Sequence, residues 1–431
     1  MKNFSLLAVV VGVVGTSSIF AMGCSSSSSS KDDNPGNTSD AGGGTDGGSE
    51  GGNGSDGGGG NDGGGGSATS CSTATLYAGN PTYAGTDLPT SGTGIKADPP
   101  LQYEDLLFSG NLLYTRQEGE IWVIDTSAAN PVETLVVGKN DSTSSFFSYT
   151  DGPCSTARFA QIRGLDVLAD GSLVVSDQTG NGVLHVKNPT TPATCAVEYW
   201  AGNATAHVDD LDPSSPPNVG ADEGVGATAK FAAPGPLVAD SAGNVYVADS
   251  GNHKIRKIAN DAAHTVSTLA PLPAGGPDSI SNFTRIGSKL YATGATGAAA
   301  FIISVDTTNG AVAIVLTGAG DKFPPLDMNT FPSVSGITND GTGLIIAGSG
   351  YLWYLTTAGA ITNIAGIGVL ADIPTGYDPA APHAASALDM LTSQGLATSG
   401  ALYYVSYRNG SVYFRGHGDG KAAFVERIAC P

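Results

Sequence analysis

The chain has 431 residues and a formal net charge of −20, and 62 of its residues are glycine. An acidic protein repels phosphate backbones, so nucleic acid is not an expected partner. Glycine is concentrated in one low-complexity segment and in many turns. The remainder of the chain is long enough for one large all-β domain or two domains of ordinary size.

Residues 1–23 have the features of an export signal. Lys2 is followed by the apolar run Leu6 to Val14, which is too short for a permanent spanning helix. Ala21-Met22-Gly23-Cys24 resembles a bacterial lipobox. The resemblance implies a lipid on Cys24 and a membrane-anchored lipoprotein of the bacterial cell envelope, with the outer membrane as the expected location. A cleaved signal followed by a chance cysteine is the alternative.

Residues 24–70 are predicted to be a disordered tether. The segment consists mainly of Ser, Gly, Asp and Asn, and between residues 25 and 70 it carries seven acidic side chains and one lysine. Because it offers almost nothing to bury, it is expected to stay unfolded. As a flexible coil it would have an end-to-end distance of roughly 40 Å. Such a tether holds a domain near a membrane without fixing its orientation.

From Cys71 onward, short apolar runs alternate with turn residues, and the pattern is clearest between Phe231 and Leu269. Four runs there are separated by Gly, Asn, Asp and Ser, which predicts an antiparallel meander. The stretch closely resembles an NHL repeat, the blade unit of a family of β-propellers. The residues that carry the resemblance are Phe231, Pro234-Gly235, Gly243 through Asp249, and Asn252 through Ile258.

The second strand of this unit recurs along the chain, with starts at Leu112, Leu173, Val245, Leu290, Leu344 and Leu402. Six units predict an all-β, six-bladed propeller over residues 71–431. The inner strands would begin near Glu104-Asp105, Arg163, Pro236, Ser281-Asn282, Ser335 and Gln394. Thr75 to Gly79 has the pattern of an outer strand and would complete the last blade. An open array or two β-sandwiches are the alternative.

The chain contains five cysteines, and four remain if Cys24 carries lipid. Four cysteines allow three connectivities, and disulfides persist in exported proteins. The propeller interpretation favours Cys71–Cys430 at ring closure and Cys154–Cys195 in the second blade. Free buried thiols are the alternative.

A binding face is predicted where the long connections between blades meet the turns between second and third strands. The connections cover residues 80–103, 139–160, 203–233 and 367–393, and loops on a rigid scaffold commonly carry binding residues. The candidate residues in the turns are Arg116, Asp177, Asp249, His253 and Arg408. For each of them, a solvated turn is the alternative. The expected partner is a protein, a peptide or a glycan.

No catalytic or cofactor motif stands out, and no cofactor is expected. Ca²⁺ is a possible ligand of Asp209, Asp210, Asp212, Asp222 and Glu223, although a solvated acidic loop is favoured. The preferred function is a lipid-anchored binding or scaffold module. The alternative is a metal-dependent enzyme similar to the six-bladed lyases and lactonases. Only Glu104, Asp105 and Asp166 offer carboxylates at the inner strands for such a metal, so binding is favoured.

Overall fold

A computed structural model describes residues 71, 73–79, 104–117, 119–128, 133–138, 151–202, 219–297, 299–317, 334–348, 351–365, 383–384, 404–417 and 423–430. The predicted signal, the tether and Cys24 lie outside these residues. The described residues are mostly β-strand, and no helix among them is long and apolar enough to cross a membrane. The strands in chain order are β1 (Thr73–Gly79), β2 (Glu104–Ser109), β3 (Leu112–Gln117), β4 (Glu120–Asp125), β5 (Glu133–Val137), β6 (Gly152–Pro153), β7 (Ile162–Val167), β8 (Leu173–Asp177), β9 (Gly182–Lys187), β10 (Ala196–Ala201), β11 (Pro234–Ala239), β12 (Val245–Asp249), β13 (Lys254–Ile258), β14 (Val266–Pro271), β15 (Ser279–Ile286), β16 (Lys289–Thr296), β17 (Ala299–Asp306), β18 (Val312–Thr317), β19 (Val334–Asn339), β20 (Gly343–Gly348), β21 (Tyr351–Thr356), β22 (Ile361–Ala365), β23 (His383–Ala384), β24 (Val405–Arg408), β25 (Ser411–His417) and β26 (Ala423–Ala429).

The strands form six antiparallel sheets, the blades of a β-propeller. From inner to outer edge, blade 1 is β2-β3-β4-β5, blade 2 is β7-β8-β9-β10, and blade 3 is β11-β12-β13-β14. Blade 4 is β15-β16-β17-β18, blade 5 is β19-β20-β21-β22, and blade 6 is β24-β25-β26-β1. The inner strands contact one another in the cyclic order β2, β7, β11, β15, β19, β24 and back to β2. The predicted six-bladed propeller is therefore confirmed.

The blades pack face to face, and this explains the strand sequences. Six hydrophobic clusters lie between successive blades, the last of them between blade 6 and blade 1. Second strands are covered on both faces, and every residue of β8, β12 and β20 is buried. The sequences of the second strands are consequently continuous or nearly continuous apolar runs. In the outer strand β18 only one of six residues is buried, so the apolar pattern weakens toward the rim.

The first and last described strands close the ring in blade 6. β1 pairs antiparallel with β26, with Ala74 opposite Ile428 and Gly79 opposite Phe424. This confirms the predicted role of Thr75 to Gly79 as an outer strand. Cys71 and Cys430, which flank these two strands, are bonded with an S–S distance of 2.07 Å. The closure is thus made by both main-chain pairing and a covalent bridge.

The strand assignment within blade 6 was wrong by one strand. The sequence pattern predicts Leu402 as the start of the second strand, whereas the innermost described strand is β24, and Gln394 lies outside the described residues. Asn409 and Gly410 both have positive φ, 49° and 69°, and join β24 to β25 as a two-residue hairpin. Because β1 supplies the outer strand, the C-terminal segment needs only three strands.

Two short strands from the long connections lie at the rim of the ring. β6 pairs with the outer strand β10, and β23 pairs with β1, which gives blades 2 and 6 a fifth strand. Beside β6, Cys154 is bonded to Cys195 with an S–S distance of 1.99 Å. β6 and β23 satisfy exposed sheet edges, so these two parts of the connections do not belong to the predicted binding face. Residues 80–103, 139–150 and 203–218 lie outside the described residues.

Candidate ligand site in the central channel

The inner strands all begin at one face of the ring and end at the other. Arg116 Nη1, near the end of β3, donates to the carbonyl of Ile162 at the start of β7, over 2.8 Å. The amide of Ala239, the last residue of β11, donates to Asp166 Oδ2 near the end of β7, over 2.7 Å. We call the face where the inner strands begin the upper face, and the other the lower face.

A cavity of about 570 Å³ lies in the channel, lined by inner strands of all six blades. This volume is typical of sites for small ligands. The charged residues of its described lining are Asp105, Arg116, Arg163, Asp166 and Arg285. The uncharged polar residues of that lining are Gln178, Ser250, Ser279, Ser281, Asn282, Thr284, Thr338, Tyr404 and Ser406. A wall rich in hydroxyl and amide groups can hydrogen-bond a polar ligand.

Close approach of neighbouring inner strands builds the wall between blades 2 and 3. Gly164 of β7 allows this approach, because a Cβ atom there would lie 2.6 Å from the amide nitrogen of Leu237. Ser176 Oγ donates to the carbonyl of Gly235 over 2.6 Å across the same interface. The wall is therefore rigid and largely preformed.

Arg116 is held in place at the upper end of the channel. Its side chain is 3% exposed, and its Nε donates to Asp105 Oδ2 over 2.5 Å. Asp105 has a φ of 74°, which is rare for a residue with a side chain and is commonest at functional sites. The guanidinium carbon also lies 6.0 Å from the centre of the Tyr404 ring. Arg116 lines the cavity, but Asp105 and the Ile162 carbonyl occupy much of its donor capacity.

Arg163 follows Ile162 in β7 and lies beside Arg116 at the upper end. The residue is exposed, and its Nε donates to Gln178 Oε1 over 2.9 Å. Among the described residues, no carboxylate pairs with its guanidinium, so both Nη groups remain for a ligand. The sequence analysis identified Arg163 only as the start of an inner strand. The signal that identifies it as a ligand residue is its position at the channel end of that strand.

The channel carboxylates are already engaged. Asp166 is 2% exposed, and its Oδ1 accepts from the amide of Val167 over 2.8 Å while its Oδ2 accepts from Ala239. It joins blades 2 and 3 and is not available as a metal ligand. In the described part of the chain, no three His, Cys, Asp or Glu residues group as a metal site requires. Asp209, Asp210 and Asp212 lie outside that part.

Asp177 and Asp249 occupy equivalent positions at the ends of second strands, and both are fully buried. Asp177 accepts from the amides of Ala160 and Gln161 over 2.7 and 3.0 Å. Asp249 accepts from the amide of Ala232 over 2.8 Å. Each carboxylate therefore fixes the connection that enters its blade to the upper turn of that blade. They are structural residues and do not lie on an exposed binding face.

His253 and Arg408 lie on opposite faces. His253 is exposed in an upper turn, and its Nδ1 is 2.9 Å from the carbonyl oxygen of Asp278. Arg408 ends β24 at the lower face, where it is 9% exposed and its Nη2 donates to Asn111 Oδ1 over 3.0 Å. The five predicted binding residues thus do not form one surface. Only Arg116 lines the cavity.

A second polar cluster lies in blade 2, where Ser172 Oγ is 2.7 Å from His185 Nε2 and His185 Nδ1 is 3.0 Å from Glu198 Oε1. These distances match a serine nucleophile with its base and orienting acid. Ser172 is only 5% exposed, however, and its Oγ also donates to Asp170 Oδ1 over 2.5 Å. Burial raises the pKa of Glu198, but hydrogen bonds from His185 and Lys187 outweigh it and leave that pKa lowered. The side chain of Glu198 is 41% exposed, but Ser172 and His185 are buried, so the cluster is a structural network whose serine a substrate cannot reach.

The chain matches a repeat-family model in blade 3, and three solved structures resemble it only distantly. The family model of the NHL repeat matches residues 231–258, which confirms the predicted resemblance in blade 3. No curated protein matches the chain. Among solved structures, a virginiamycin B lyase from Staphylococcus aureus shares 13% identity over 76% of this chain and 94% of that chain, with a TM-score of 0.40. A streptogramin B lyase shares 10% over 77% and 80%, with a TM-score of 0.42. A chain of a nidogen/laminin complex shares 13% over 71% and 84%, with a TM-score of 0.37. At these values the similarity carries no argument about activity.

Proposed function

We propose that this protein is a lipid-anchored binding or scaffold module of the bacterial cell envelope, whose ligand occupies the upper end of the channel. The observation that carries the proposal is the cavity of about 570 Å³, which is lined by all six inner strands. A rigid ring with such a cavity presents polar groups in fixed positions, which lowers the entropy cost of binding.

The size of the cavity limits what enters it. A volume of this order accommodates a small molecule, a sugar unit or the end of a peptide, and not a folded domain. The partner is therefore a glycan, a peptide or a protein that inserts one such group. The exposed upper turns around the cavity, including the one with His253, would contact the rest of a larger partner.

The anchor is proposed from the sequence. A lipid on Cys24 and the following tether would hold the propeller near a membrane. The two disulfides, Cys71–Cys430 and Cys154–Cys195, are consistent with an oxidising compartment outside the cytoplasm. Replacing Cys24 with Ser should move the protein from the membrane fraction to the soluble fraction. Continued membrane association of this variant would contradict lipid anchoring.

The binding role is tested by blocking the cavity. Ser281 is exposed and belongs to the cavity lining, so Ser281→Trp should obstruct the upper end. Ser155→Trp is the matched control, because Ser155 is exposed at the rim beside Cys154. Both variants and the parent protein are applied to glycan and peptide arrays. We expect ligands that are lost with Ser281→Trp and kept with Ser155→Trp, and equal binding by all three proteins would refute a channel ligand.

The enzyme alternative is tested by metal analysis of the purified chain. The alternative function is a metal-dependent lyase or lactonase, and such an enzyme would require a metal bound in the channel. Stoichiometric Ca²⁺ or Zn²⁺ that remains after dialysis would favour the enzyme over the binding module.

A further inference from the structure

We propose that the upper end of the channel is an oxoanion site, in which Arg163 binds a carboxylate or phosphate group of a small polar ligand. This inference rests on the proposed binding function and adds the chemical class of the ligand. It is argued from the hydrogen bonds of the channel arginines, the charge of the lining and the strain at Asp105.

The first argument is the donor capacity of Arg163. Its Nε is fixed by Gln178, at 2.9 Å, which orients the planar guanidinium. The two Nη groups remain as a fork, and such a fork matches two oxygens of a carboxylate or phosphate. An exposed arginine in a cavity wall, oriented by one side chain and free of a carboxylate partner among the described residues, is suited to bind an anion.

The second argument is the charge of the cavity compared with that of the chain. The described lining holds three arginines and two aspartates, whereas the whole chain has a net charge of −20. Both aspartates are engaged, Asp105 by Arg116 and Asp166 by backbone amides. Surface charges are screened beyond about 8 Å at physiological salt. A ligand in the cavity therefore interacts mainly with the arginines, and the acidic surface elsewhere has little effect on it.

The third argument is the role of Asp105. Its φ of 74° is a strained conformation that places its carboxylate against Arg116 Nε. This pair compensates the charge of Arg116 and fixes its guanidinium carbon 6.0 Å from the centre of the Tyr404 ring in the cavity wall. Asp105 is thus a positioning residue. It leaves Arg163 as the cation available at the upper end, so the site is suited to one anionic group on an otherwise uncharged ligand.

The uncharged part of the ligand would contact hydroxyl and amide groups of the wall. Ser250, Ser281 and Asn282 belong to the upper part of the lining, since each lies at or near the start of an inner strand or in an upper turn. Such groups hydrogen-bond hydroxyls and amides without demanding a charge. This composition allows a test with ligands that differ in the anionic group alone.

The experiment is calorimetric titration of the purified full chain with glucuronate, glucose 6-phosphate and glucose. We expect at least one of the two anionic sugars to bind, and glucose to bind about 10- to 100-fold more weakly, the range for loss of a charge-assisted contact. The anion that binds more tightly distinguishes a carboxylate site from a phosphate site. Arg163→Gln should remove the preference for the anion, and Arg163→Lys should restore part of it. Arg427→Gln is the matched control, because Arg427 is exposed on β26 outside the cavity.

Three outcomes would overturn the oxoanion site. One is equal affinity of glucose and the anionic sugars, and another is anion binding that Arg163→Gln leaves unchanged. Failure of both anions to bind at millimolar concentration would count in the same way. Each of these results leaves the binding function standing if ligands on the arrays are still lost with Ser281→Trp. If that variant keeps them, the channel-binding function fails independently.

Discussion

Glu133 makes the folding stability of this protein depend on pH. It is the first residue of β5 and is 5% exposed, and its Oε1 has no hydrogen-bond partner within the described part of the chain. Burial raises the pKa of this carboxyl from 4.5 to about 8. Between these values the unfolded chain has released the proton and the folded chain still holds it, so the free energy of unfolding falls as pH rises. At about 1.36 kcal/mol per pKa unit, the full loss above pH 8 is about 5 kcal/mol.

Glu133→Gln removes the titration and keeps the shape of the side chain. The measurement is denaturant unfolding of variant and parent at several pH values, followed by tryptophan fluorescence. The difference in unfolding free energy should grow in favour of the variant by about 4 kcal/mol from pH 5 to pH 9. Asp278→Asn, which changes an exposed carboxyl, is the control and should show no such growth. A constant difference between Glu133→Gln and the parent over this range would refute the account of Glu133.

Three further predictions concern stability, all measured by denaturant unfolding. Asp249→Asn should lower the free energy of unfolding by about 3–5 kcal/mol, since it leaves the fully buried Arg256 without its ion-pair partner at 2.9 Å. A double variant with Arg256→Met should recover part of this loss. Replacing Cys71 and Cys430 by Ser should lower the free energy of unfolding by about 6 kcal/mol, and replacing Cys154 and Cys195 by about 4 kcal/mol. The difference follows from loop entropy, because the sequence separations are 359 and 41 residues. Ser172→Ala should cost about 1–3 kcal/mol, because it leaves His185 Nε2 buried without a partner.

The parts of the fold that were predictable are those that local sequence determines. In blade 3 each strand is followed by turn residues within the same 40-residue stretch. The alternation of apolar and polar residues and the intervening turn residues were therefore sufficient to predict the four strands. Phe231 and Asp249 have counterparts in Phe159 and Asp177 at the same spacing of 18 residues. The counterparts make the same kind of contact, a buried carboxylate on the amides that follow the phenylalanine. Repetition of a local contact is visible in a sequence.

The parts that were missed depend on residues far apart in the chain. The inner strand of blade 6 was missed although β1 was expected as its outer strand, because β24 is identified as an inner strand only by its contacts with β19 and β2. Apolar runs also look alike when strands are covered on both faces, so an inner and a second strand are hard to distinguish. The burial of Asp177 and Asp249 was missed for a related reason. From the sequence alone, a charged residue in a turn is predicted to be exposed, because the groups that pair with it in the fold are not known.

The candidate site lies where the repeat is broken. The fifth residue of the second strand is Asp177 in blade 2 and Asp249 in blade 3, and each carboxylate holds its own blade together. In blade 1 the same position is Arg116, which cannot accept those amides. It donates instead to Asp105 and to the first residue of the next inner strand, and so places a cation at the channel. Because local rules are most often violated at functional positions, this departure supports the proposal that blades 1 and 2 contact the ligand.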